Sequence, residues 1–106
     1  MQGEVYKCIN TGKYYLINSI GTYNYLVIEF GTFSSRFINI ENFTSLYQEI
    51  KLNTNNLKLL LDNYKVFQNT IDYNNMNEFK HIKYNNRIFI IKNWYEVFNF
   101  AGENYN

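Results

Sequence analysis

Residues 4–40 read EVYKCINTGKYYLINSIGTYNYLVIEFGTFSSRFINI, and the fold turns on them. Four runs rich in Tyr, Val, Ile, Phe and Thr are punctuated by glycine-bearing pairs. Glu4 to Asn10 ends at Thr11-Gly12, Lys13 to Ile20 at Gly21-Thr22, and Tyr25 to Phe30 at Gly31-Thr32; Phe33 to Ile40 completes the set. β-Branched and aromatic side chains suit a pleated, half-buried surface, and glycine suits the tight turns between such strands. In the third run Leu26, Ile28 and Phe30 share one face, and Tyr25, Val27 and Glu29 share the other. The reading is an antiparallel β-meander over residues 1–43 that curls into a small barrel or packs on a helix.

The period changes after Glu41. Leu57, Leu60, Leu61, Tyr64 and Phe67 recur at helical spacing, so one amphipathic helix is predicted through them, capped by Thr54 or Asn55. A shorter helix is predicted before it, from about Thr44 to Leu52, with Leu46, Glu49 and Ile50 dividing its buried and wet sides. Phe79 to Lys92 reads as a hairpin about Asn85-Asn86, because a type I′ loop needs positive φ at both positions and Asn tolerates it. That loop sets Tyr84 opposite Arg87, Ile82 opposite Phe89 and Lys80 opposite Ile91. Trp94, Val97, Phe98 and Ala101 then mark a short C-terminal helix, with Asn93 as N-cap, Glu96 three residues on and Gly102 at its end. The expected class is α+β in a single domain, 1–106: meander, amphipathic helix, hairpin and C-terminal helix, with the helix-hairpin-helix part spanning 44–106.

Composition narrows the function. Roughly one residue in six is asparagine, far above average usage. The chain is 20% aromatic with 11 tyrosines and no proline. Asn, Lys, Ile, Tyr and Phe are also what AT-rich codons supply. With 46% apolar residues and a net charge of +1, the chain is expected to fold. Ten basic against nine acidic residues give no overall charge case for nucleic acid. The single cysteine, Cys8, excludes an internal disulfide and a multi-cysteine metal site. No apolar run reaches spanning length, and the start Met1-Gln2-Gly3-Glu4-Val5-Tyr6 lacks the basic and apolar regions of a secretory signal. A cytoplasmic location is expected, with no membrane partner.

Catalytic patterns are not visible. Gly12-Lys13 lacks the upstream glycine of a phosphate loop, and Tyr14 stands where its Ser or Thr would be. Cys8 and His81 could form a nucleophilic pair only by meeting across the fold. Glu4, Glu29, Glu41, Glu49, Asp62, Asp72, Glu78, Glu96 and Glu103 are scattered singly, without the pairing that glycoside or two-metal hydrolysis needs. The chain is therefore read as non-enzymatic, with no cofactor and no metal.

Two binding surfaces are suggested instead. The hairpin has a basic bias, and Lys80, Lys83, Tyr84, Arg87 and Lys92 are the nucleic-acid candidates, with bases paired to phosphate and rings to nucleobases. The predicted register divides these charges between the two faces, and lysines on an edge strand also serve to block strand addition. The tyrosine surplus is the second lead, since exposed Tyr with Arg is the composition of protein-binding hot spots. Alternation places Tyr14, Tyr23, Tyr25, Tyr47 and Tyr95 as candidates for exposure, and Arg36 joins them as partner-binding candidates.

Gly3-Glu4-Val5-Tyr6, Thr11-Gly12-Lys13-Tyr14-Tyr15-Leu16-Ile17, Leu26-Val27-Ile28-Glu29-Phe30 and Arg36-Phe37-Ile38-Asn39-Ile40-Glu41-Asn42-Phe43 together resemble a small SH3-like domain. That domain is common in phage-encoded proteins, often beside HNH-type endonuclease modules. The resemblance implies a phage or mobile-element context, in the cytoplasm of a bacterial host. Small, catalytically bare proteins in that context often occupy a host protein's surface, as anti-CRISPR and anti-restriction inhibitors do. The expectation is an inhibitor that binds a host nuclease or defence complex by protein contact. A nucleic-acid-binding module using the hairpin is the alternative, and a structural or self-assembling phage component, homo-oligomeric, is the third.

Overall fold

The computed structural model describes residues 1–73 and 81–105, and the chain divides into two compact units, Met1–Lys51 and Leu52–Asn106. The first unit contains β1 (Val5–Cys8), β2 (Tyr14–Ile20), β3 (Asn24–Glu29), β4 (Ser35–Asn39), α1 (Ile40–Leu46) and β5 (Tyr47–Ile50). The second contains α2 (Thr54–Leu61), a 3-10 turn (Lys65–Phe67), β6 (His81–Tyr84), β7 (Arg87–Ile90) and α3 (Trp94–Asn104). The class is α+β, as the sequence predicts.

The meander forms with its strands in sequence order, and β5 joins its far side to give an antiparallel sheet ordered β4-β3-β2-β1-β5. Gly31 takes φ 118° after β3, where a side chain would be strained. The register of β2 on β3 shifts between Ile17 and Ser19, a bulge that bends β2. β4 and β5 are the two edges of this sheet, so the barrel is not closed. The packing alternative holds: Phe43 of α1 lies against the sheet, with ring centroids 4.7 Å from Tyr6, 4.9 Å from Tyr25 and 4.4 Å from Tyr47. Cys8, Tyr15, Ile17, Val27 and Ile38 complete that core.

Residues 44–52 depart from expectation. The short helix ends at Leu46, and Tyr47–Ile50 is a strand paired with β1, Cys8 facing Tyr47 and Val5 facing Ile50. Leu46, Glu49 and Ile50 do have helical spacing, but pairing with a distant strand satisfies the backbone and overrides it. The first unit accordingly extends to Lys51, past the expected end of the meander at 43.

In the second unit, Leu57, Leu60, Leu61 and Phe67 are buried as the helical stripe requires, yet the helix itself stops at Leu61. Asn63 terminates it by donating its amide to the carbonyls of Leu59 (3.3 Å) and Leu60 (3.0 Å). Phe67 reaches the core from the 3-10 turn instead. Asn85 and Asn86 adopt φ 50° and 61°, and the hairpin has the predicted register at Tyr84–Arg87 and Ile82–Phe89. Lys80, and with it the Lys80–Ile91 pairing, lies outside the described residues.

Each α-helix begins at an asparagine. The Asn39 amide oxygen accepts from Glu41 N (2.8 Å), that of Asn53 from Asn56 N (2.8 Å), and that of Asn93 from Glu96 N (3.1 Å). The predicted cap at Thr54 or Asn55 thus moves to Asn53, and each cap contributes about 1 kcal/mol. α3 runs through Gly102 to Asn104, whose amide satisfies Phe100 O at 2.8 Å.

Candidate protein-contact edge

Glu29 is the one buried charged residue among those described. It stands at the end of β3, beneath the loop that leads to β4. Thr32 donates its hydroxyl to Oε2 (3.0 Å), Tyr15 donates to Oε1 (3.3 Å), and Lys13 Nζ lies 3.6 Å from Oε1. Burial pushes the Glu29 carboxyl up, but hydrogen bonds from Thr32, Lys13 and Tyr15 and the Lys13 charge outweigh it, leaving the group below its ordinary value. Burial in turn pushes the Tyr15 hydroxyl up. A carboxylate held ionised beside a protonated phenol is a strut for the Gly31–Ser34 loop, and it is poorly poised for proton transfer.

The sign of this shift gives a test. A carboxyl whose folded value is depressed stabilises the fold above its unfolded value, near 4.5, and that stability fades as pH falls through the lower folded value. The stability gap between the parent chain and Glu29→Gln should be full at pH 6 and shrink below about pH 4.5. Urea midpoints measured on both across that range would show it. Parallel curves would mean Glu29 is not linked to folding.

The predicted tyrosines separate. Tyr14 and Tyr25 are buried, at 7% and 8% exposure, contrary to expectation. Alternation tells which residues share a face but not which face is covered, and apolar side chains line both sides of this sheet. Tyr47 is half-buried, stacked on Phe43, and Tyr95 is half-buried in the first turn of α3. Only Tyr23 and Arg36 remain exposed. Tyr23 sits in the β2–β3 turn with 76% of its surface open, and the Arg36 guanidinium lies 5.6 Å from the Tyr15 ring centroid.

Arg36 is on the edge strand β4, and Tyr23 stands in the turn next to the end of that strand. Ile40 N donates to Tyr23 O (2.9 Å) and Glu29 N to Ser34 O (3.0 Å), which fixes the bonded pairs of β3 and β4. By alternation, Ser35 and Phe37 turn their N–H and C=O groups away from β3. Phe37 also has 72% of its surface exposed. Phe37 is not among the residues the sequence singles out, although a phenylalanine on the last strand of a meander, beside Arg36, is a signal of it.

The basic hairpin does not assemble as a nucleic-acid stripe among the described residues. Tyr84 is buried against Phe67 and Phe100, so its faces are not open to bases. Lys83 lies opposite Ile88, whereas Arg87 is on the other face with its guanidinium 5.2 Å from the Phe89 ring. Lys92 is exposed beyond the end of β7. Cys8 is buried in the first unit, its thiol held below the ordinary value by a Thr11 hydrogen bond against the opposing effect of burial. No three His, Cys, Asp or Glu side chains converge among the described residues, and no described helix is long and apolar enough to cross a membrane. Comparison with family models, curated proteins and solved structures finds no match to this chain.

Proposed function

We propose that this chain is a non-enzymatic binding protein that acts by protein–protein contact through the β4 edge. The observation that carries the reading is the exposed Phe37 on a strand whose outward backbone groups meet no partner among the described residues. Arg36, on the opposite face of β4, and Tyr23, in the β2–β3 turn, lie near it with side chains of the kind that anchor protein interfaces. A partner would add main-chain bonds to Ser35 and Phe37 and bury the Phe37 and Tyr23 rings. The resemblance of residues 3–43 to the phage-encoded domain suggests the class of that partner, a host nuclease or defence complex that is inhibited by occupation of its surface.

The test is a photo-crosslinker placed at position 37, followed by identification of the captured bacterial protein and titration of the purified pair. Phe37→Asp and Tyr23→Ala are each expected to weaken that complex by about thirtyfold, the scale of an interface hot spot. Thermal unfolding of both variants should be unchanged. A complex indifferent to both substitutions would move the contact elsewhere. Duplex binding at low salt that is lost in Lys83→Glu with Arg87→Glu would favour the nucleic-acid alternative.

A further inference from the structure

β7 is an edge strand in the other unit, and it carries little of the protection that edges usually have. In a hairpin with a two-residue loop, the residues flanking the loop exchange both backbone bonds, here Tyr84 and Arg87, and the next bonded pair is Ile82 with Phe89. Ile88 and Ile90 therefore direct their N–H and C=O groups away from β6. The outer side of β6 is met by Asp72, which exchanges two 2.9 Å bonds with Lys83. No described residue does the same for Ile88 or Ile90, and their side chains are 65% and 59% exposed.

A groove of about 510 Å³ runs along this edge, between β7 and α3. Its helical wall carries Glu96, Phe100 and Glu103, which share one face of α3. Phe100 is held there by Phe89, their centroids 4.7 Å apart. An occupant must offer main-chain groups to Ile88 and Ile90, apolar side chains beside the half-buried Phe89, and positive charge near the glutamates at either end. The strand itself has that pattern: Ile88-Phe89-Ile90-Ile91 lies between Arg87 and Lys92.

We propose that the occupant is a second copy of this chain, joined by antiparallel pairing of the two β7 edges about a two-fold axis. The register that uses both outward residues sets Ile88 against the second copy's Ile90, and Phe89 against the second copy's Phe89. Each Ile88–Ile90 pair exchanges two backbone bonds. Arg87 then lies beside the second copy's Ile91, at the end of the groove where the chain turns into α3 and Glu96 stands. The arrangement is isologous and closes at two copies, because pairing uses up the free edge of both.

Sedimentation of the full chain across a concentration series tests this. A monomer–dimer equilibrium is expected, with a dissociation constant raised roughly a hundredfold in Ile88→Lys with Ile90→Lys, since two charged side chains per strand would then crowd the seam. Both side chains are exposed in the single chain, so the unfolding midpoint of the variant should not move. A parent chain that stays monomeric to its solubility limit overturns the proposal. So does a dimer of undiminished strength in the lysine variant, or growth beyond two copies. Capture of a partner through Phe37 should survive the lysine substitutions, which keeps the two edges distinguishable.

Discussion

Phe43→Ala is expected to cost the Met1–Lys51 unit about 3–5 kcal/mol of stability, the range for deleting a fully buried aromatic ring. Set against the 5–15 kcal/mol that typically separates folded from unfolded domains, that is enough to unfold a marginal one. Phe43 is 1% exposed, stacked on Tyr47 and edge-on to Tyr6 and Tyr25. α1 has seven residues, too few to be stable alone, and Glu41, Asn42, Ser45 and Leu46 are exposed. Phe43 is therefore what secures the helix to the sheet, and β5 begins at the next residue after α1. Urea unfolding should show a large fall in midpoint for Phe43→Ala and a smaller one for Phe43→Leu. A loss under about 1 kcal/mol in the alanine variant would show that the aromatic cluster is not what holds this face.

Phe67→Ala should have a comparable effect in the second unit, again about 3–5 kcal/mol. Phe67 has no exposed surface, and its ring meets Tyr64 at 5.8 Å, Tyr84 at 5.4 Å and Phe100 at 5.2 Å. Those neighbours come from the segment after α2, from β6 and from α3, so one ring joins three parts of the unit. Near-ultraviolet circular dichroism, which reports the packing of the aromatic side chains, should lose intensity in the variant before the far-ultraviolet signal does. Retention of both at the parent's unfolding midpoint would contradict the role given to Phe67.

What could be read from sequence was what is decided locally. The Asn85-Asn86 loop fixes its own register, so the pairing of Tyr84 with Arg87 and Ile82 with Phe89 followed from two residues. Asn93 and the apolar spacing after it marked α3 correctly, although Gly102 did not stop the helix. β5 was not legible, because Tyr47–Ile50 becomes a strand only through β1, about forty positions earlier. The exposure expected of Tyr14 and Tyr25 failed for a related reason. Tyr14 and Tyr25 alternate as edge-exposed residues would, but both faces of the sheet are lined with apolar groups, and parity cannot identify the covered one. Phe37 was missed because its exposure depends on β4 being an edge, which the strand order decides.

The pairing of β5 with β1 also bears on how the sheet assembles. Each of the β1–β2, β2–β3 and β3–β4 pairings joins strands that are neighbours in the chain, and such hairpins form within microseconds. The β1–β5 seam instead brings Tyr47 to Cys8, and the entropy of closing that long loop must be met before any of its bonds form. The meander is therefore expected to form first and to serve as its template. In the folded chain β5 is bonded on one side only, so the amides of Tyr47–Ile50 are expected to exchange with solvent ahead of those in the central strands β2 and β3.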